Sequence, residues 1–292
     1  MKQKFFTLKT GNRFFAQTEK WKYLLSLFFL FFALFGAATG ANAQTQGSGS
    51  GLDPEDPVYI NLTLAAPPAN NPGYYLYGSN VLTLAGNGLY YRITGTAGTG
   101  RIRNVVVQSG ITVHIEFVGT TNITNPNDNA GLAINDLSIA YITLAEGSVT
   151  TLTGSVSRAG LYVHRDGKVF IDGDGVLIAT GGIGDSNGGS GAGIGGHGNL
   201  QGQNAILGSS GTITINGGTI TATGGLHNAS NGGSGAGIGA GGGRMGLGGS
   251  TVGLITITGG TVTATGGAMT SGGNGGGGGA GSGSGAGSWS PT

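Results

Sequence analysis

Cysteine is absent from the 292 residues, and charged side chains make up only 9% of them. The first absence excludes a disulfide framework and any thiolate metal site. The second sets the chain apart from ordinary globular domains, in which about a quarter of the residues are charged. Helical patterning is missing as well: beyond the first 43 residues no stretch reads as a helix. No Gly-x-Ser-x-Gly elbow precedes a helix, and His114, His164, His197 and His227 form no His-x-His or His-Glu-x-x-His pair. These histidines are expected on the surface or in loops rather than at a zinc ion.

Glycine is what the chain has in excess, 66 residues, and it is punctuated by Ile, Val, Leu and Thr in strict alternation. Disordered Gly-rich linkers lack such alternation. The tripeptide Ala-Gly-Leu or Ala-Gly-Ile returns at Ala130, Ala159, Ala192 and Ala236, at spacings of 29, 33 and 44 residues. Two of the intervening stretches, "GTITINGGTITATGG" and "LITITGGTVTATGG", are near copies. Repetition at such a period predicts a solenoid in which each unit is one coil stacked on the last. Three short strands per coil, separated by Gly-containing bends, predict an all-β chain forming a right-handed, single-stranded parallel β-helix of about five coils over residues 101–268. Period two places Ile220 and Ala222 inside and Thr219, Thr221 and Thr223 outside, with Ile213 above Ile255, Ile215 above Ile257 and Ile194 above Ile238.

The N-terminus reads as a secretory leader: six basic residues, an apolar run from Tyr23, and Ala41-Asn42-Ala43 at the end. Cleavage is expected after Ala43, and the run is followed by no cysteine that a lipid could modify. The remaining chain holds 7 basic and 11 acidic residues, a net charge of −4. With no basic cluster, it is a poor nucleic-acid ligand, and no membrane contact is expected once the leader is gone. Residues 44–57 read as a flexible linker, 58–100 as an N-terminal β cap, and 269–292 as a Gly/Ser-rich tail. Tyr74, Tyr75, Tyr77, Tyr90 and Tyr91 are expected to cover the open end of the apolar column.

The pairing of "GSGAGIGG" with "GTITINGGTITATGG", over about 170–267, resembles the GAGIG-type repeats of bacterial secreted and surface proteins. It is similar to the right-handed β-helical carbohydrate-binding domains found among them. That resemblance implies an exported, adhesin-like or polysaccharide-binding protein, whose partner is an extracellular polysaccharide or a host or cell-surface glycan. No catalytic motif travels with it. Inserted loops at 184–191, 196–210 and 227–235 are rich in neutral amides and hydroxyls, which suit neutral sugars. Asn199, Gln201, Gln203, Asn228 and Asn231 are therefore the candidate carbohydrate contacts.

Other chemistries are weaker but have residues behind them. A polysaccharide lyase or hydrolase needs clustered carboxylates, and Asp166, Asp172 and Asp174 lie close in sequence to Arg165 and Lys168. Asp172 and Asp174 also form the short Asp-Gly-Asp that could hold Ca2+, although the same pair can simply stabilise a Gly bend. No other cofactor is implied. Outward Thr-x-Thr rows would suit an ice-binding face, but only two units carry three threonines.

Overall fold

The computed structural model describes residues 51–64, 75–78, 80–98, 101–124, 128–186, 188–200, 208–228, 232–243, 250–269 and 287–289. The leader at 1–43 and most of the Gly/Ser-rich tail lie outside the described residues. Those described are all-β, with no helix among them.

Six strands come first: β1 Val58–Asn61, β2 Tyr75–Gly78, β3 Val81–Leu84, β4 Leu89–Thr96, β5 Asn104–Val107 and the long β6 Thr112–Ile123. Four triplets follow. They are β7 Leu132–Ile134, β8 Ile139–Leu144 and β9 Val149–Thr153; then β10 Leu161–Val163, β11 Lys168–Gly173 and β12 Val176–Thr180. The third is β13 Ile194–Gly195, β14 Thr212–Ile215 and β15 Thr219–Thr223, and the fourth β16 Ile238–Gly239, β17 Ile255–Ile257 and β18 Thr261–Thr265. A short β19, Gly287–Trp289, lies parallel to β18.

From β7 to β18 each strand pairs in parallel with the strand three places later. The Ala-Gly-Leu/Ile strands align as Leu132, Leu161, Ile194 and Ile238, so the spacings read from the sequence are the register offsets themselves. Ile213 pairs with Ile255 and Ile215 with Ile257, while Ile220 and Ala222 pair with Val262 and Ala264. The ladders gather into two curled sheets of seven and twelve strands. The larger curls because β6 serves both of its halves: Thr112–Phe117 pair with β8 and Thr120–Ile123 with β9. Residues 58–96 continue the same ladders, β1 on β4, β4 on β6 and β3 on β5, and only β2 runs antiparallel, against β3.

Alternation then fixes what is buried. Inward residues such as Ile115, Ile142, Ile171 and Ile215 are 0–2% exposed and form one continuous apolar cluster from Val58 to Ala264. Each fully buried branched side chain contributes roughly 1.5–3 kcal/mol. Ala130, Ala159, Ala192 and Ala236 are also wholly buried. The glycine of the repeated tripeptide has its own cause. A Cβ on Gly160, Gly193 or Gly237 would lie 2.7, 2.6 or 2.5 Å from the backbone nitrogen of Thr180, Thr223 or Thr265, where the last strand of a triplet ends. Two backbones meet there and leave no room for a side chain.

The described Gly-rich segments at 188–199 and 232–243 follow the same rule and depart from the sequence reading, which placed the insertions at exposed edges. Residues 188–199 are buried without a break. They bond to 232–243 backbone to backbone, Ser190 N to Gly233 O and Asn199 N to Gly242 O, each at 3.0 Å. With glycine, which has no Cβ, at most of their positions, these segments approach closely enough to become an internal layer, and their amides bond across it. Gly193→Ala is expected to destabilise the fold by about 3 kcal/mol or more, as overpacking against immovable backbone. Gly98→Ala, where a Cβ meets nothing within 4 Å, should stay within about 0.5 kcal/mol of the parent; chemical denaturation of the two variants checks both.

Candidate functional site

On β4, β6, β8 and β11 the residues between the buried ones point outward and align in rows. Register pairs Tyr90 with His114, His114 with Tyr141, and Tyr141 with Phe170. Their rings stack nearly plane on plane: centroids are 4.2, 5.0 and 4.9 Å apart and interplanar angles 16°, 13° and 14°. The strand spacing of about 4.8 Å sets that separation. Such pairs are each worth about 0.5–1.5 kcal/mol, so the row stiffens the face. Because the rings cover each other's faces, they offer solvent their edges, and Tyr141 is the most open at 40%. Burial between its neighbours lowers the pKa of His114 below its ordinary value.

Beside the aromatic row runs a polar one, Arg92, Glu116, Thr143 and Asp172, again set by register. Arg92 Nε donates to Glu116 Oε2 at 2.6 Å, and both side chains are about one-third exposed. Among the described residues neither makes a second side-chain hydrogen bond. The remaining guanidinium N–H groups and Glu116 Oε1 thus keep their capacity for a ligand. Over this end of the face folds the segment 51–57, pinned where Tyr90 N donates to Gly51 O at 2.9 Å. Asp53 Oδ1 holds its turn by accepting from the backbone of Glu55 and Asp56. Pro54, Glu55 and Pro57 form one wall of a cleft of about 380 Å³. Tyr90, Arg92, His114, Glu116 and Thr143 line the opposite side together with Tyr91 and Ile115.

The sequence-derived candidates fall in different places. Asp172 is exposed and belongs to the polar row of this face, where its Oδ1 accepts from Gly173 N at 2.8 Å. Asp174 is exposed beyond the bend. Asn199 is wholly buried: its Oδ1 accepts from Gly208 N at 2.9 Å and its Nδ2 donates to Ser250 Oγ at 3.2 Å, closing the loop. Asn228 is exposed, while Gln201, Gln203 and Asn231 lie outside the described residues. Arg165 pairs with Asp166 at 2.9 Å, on a turn away from the cleft lining. Tyr90, expected to cover the end of the core, heads the outer row, and Tyr91 takes a buried place, its hydroxyl accepting from Gly86 N at 3.0 Å. Tyr74 lies outside the described residues, as do the side chains of Tyr75 and Tyr77.

Two histidines expected at the surface or in loops are buried, His197 to 4% exposure and His227 to 0%. His197 stacks on Tyr162 at 3.8 Å and 9°, and its Nδ1 accepts from Ala159 N at 3.0 Å. That acceptor role fixes the neutral tautomer with the proton on Nε2. Comparisons with protein-family models, with curated proteins and with solved structures give no match for the chain.

Burial, then Arg158 and His164, hold the pKa of His197 well below 6.5. The folded state therefore binds fewer protons than the unfolded one once pH falls below the unfolded value. The stability this histidine contributes is complete above about pH 6.5 and is lost as pH drops toward its folded pKa. Between those limits the loss should be about 1.4 kcal/mol per pH unit. Denaturation curves at pH 7.5 and 5.5, on either side of the unfolded value, should show a total loss from this group of about 1.4 kcal/mol in the parent that is absent in His197→Asn.

Proposed function

We propose that this chain is an exported, non-catalytic right-handed parallel β-helix of about five coils that binds extracellular polysaccharide or cell-surface glycan. Pairing of each strand with the one three places later supports the coil reading, and the right-handed preference of parallel crossovers supports its hand. The leader through Ala43 supports export to the medium or the cell surface. The resemblance to GAGIG-type repeat proteins supports a surface role.

The observation that carries the binding reading is the outer face of β4, β6, β8 and β11, where an aromatic row runs beside Arg92, Glu116, Thr143 and Asp172. A guanidinium and a carboxylate with unused hydrogen-bonding capacity, next to hydroxyls and ring edges, match the donors and acceptors of sugar hydroxyls. Glu55 and Glu116 against Arg92 leave the cleft slightly acidic. Uronates and sulfated sugars are disfavoured, and a neutral glycan is the expected ligand.

Two carboxylates in one cleft also give the lyase or hydrolase reading a specific basis, since glycosidic cleavage uses such pairs. A glycan array run beside a reducing-end and unsaturated-product assay separates the two. Binding of neutral polysaccharide without turnover is expected. Arg92→Ala and Tyr141→Ala should each weaken it about tenfold or more while leaving the melting temperature within a few degrees. Turnover abolished by Glu116→Gln would establish the enzyme instead, and binding unchanged in both alanine variants would remove this face as the site.

A further inference from the structure

A second cluster stands apart from the cleft, where the turn between β7 and β8 lies beside the turn between β10 and β11. The registers Leu132 with Leu161 and Ile139 with Lys168 force these two turns together. Leu137, at φ 55°, tightens the first, and Gly167 N donating to His164 O at 2.7 Å closes the second. As a result, His164 Nδ1 lies 3.5 Å from Asp136 Oδ1 and 3.8 Å from Asp166 Oδ2. One donor atom from each of the three residues falls within 4.8 Å of the others.

We infer that Asp136, His164 and Asp166 form a site for one divalent transition-metal ion of the Zn2+ class. Tetrahedral ligands at about 2.1 Å from zinc stand about 3.4 Å from one another, so the two imidazole–carboxylate distances are near the bound geometry. The carboxylates need only small rotations, and both are about half exposed, at 51% and 44%. The imidazole nitrogen selects against Ca2+ and Mg2+, which prefer all-oxygen sites. Two interactions compete: Asp166 N donates to His164 Nδ1 at a long 3.3 Å, and Arg165 Nε donates to Asp166 Oδ2 at 2.9 Å, an exposed pair that contributes little and can give way to a metal. Among the described residues Asp136 makes no ion pair with a lysine or an arginine; its near neighbour is the His164 imidazole.

Tyr162 supplies an independent pointer. It is 4% exposed, and its hydroxyl has no hydrogen-bond partner among the described residues. Its ring lies edge-on to His164 at 6.2 Å, with His197 stacked against it at 3.8 Å. A buried hydroxyl without a partner, carried on a ring packed edge-on against a ligating imidazole, is placed to join the outer shell that orients metal ligands. Tyr162 is accordingly a positioning residue.

The test is titration of the untagged, metal-free protein with Zn2+ by calorimetry and with Co2+ by visible absorption. One saturable equivalent is expected, with Ca2+ at least a hundredfold weaker. Asp136→Asn and His164→Gln should each raise the Zn2+ Kd more than tenfold and remove the Co2+ band. Tyr162→Phe should raise it several-fold without lowering the melting temperature of the metal-free protein. Circular dichroism of each metal-free variant confirms that the fold is kept. No saturable binding, binding unaltered in Asp136→Asn and His164→Gln, or Ca2+ bound as tightly as Zn2+ would overturn the site.

Discussion

Parallel backbone pairing between a strand and the strand three places later is the constraint on which the other features rest. Once Leu132, Leu161, Ile194 and Ile238 are in register, the neighbouring strands of each triplet are in register too. Inward residues then stack on inward residues, giving the unbroken column from Val58 to Ala264. Outward residues stack as well, which is why four aromatic rings meet plane on plane and why Arg92 reaches Glu116. The same register lays one turn on another and brings Asp136 to His164. A core, an aromatic outer face and a side-chain cluster thus have a common geometric origin.

Glycine makes that register possible at the corners. Where the end of one strand crosses the start of the repeated tripeptide, the backbone nitrogen of Thr180, Thr223 or Thr265 fills the place a Cβ would need. Between 188 and 199 and between 232 and 243, glycine lets two loops satisfy each other's amides inside the protein. This explains how a chain with 9% charge and no cysteine folds: backbone-to-backbone contact replaces much of what side chains do elsewhere. The cost is intolerance, because a single added methyl at such a corner has nowhere to go.

The repeat spacing, the alternation and the inward placement of Ile220, Ala222, Ile213 and Ile194 were legible in the sequence because period two and register are local properties. The aromatic row was legible and overlooked. Aligning "VHIEF", "AYITL" and "VFIDG" on their apolar positions puts His114, Tyr141 and Phe170 in one column, and "LYYRI" adds Tyr90. The burial of Asn199 and His197 could not be read in this way. Polar, Gly-rich loops have the composition of a surface, and only long-range pairs such as Asn199 with Ser250 decide that they face inward. The cluster at Asp136 was hidden for a related reason: its ligands come from turns 28 residues apart in the chain, and only the register makes them neighbours.

The register itself can be measured, since a cysteine-free chain is a clean background for paired cysteines. Thr221 and Thr263 are register partners on an outer face, 42 residues apart in sequence. Adjacent in-register strands put their Cα atoms about 4.8 Å apart, inside the range a disulfide spans. Under mild oxidation Thr221→Cys with Thr263→Cys should cross-link nearly to completion within one molecule. Thr221→Cys with Thr265→Cys, two residues out of register, should cross-link far less. Equal cross-linking of the two pairs, or none in the first, would contradict the three-strand register and everything built on it.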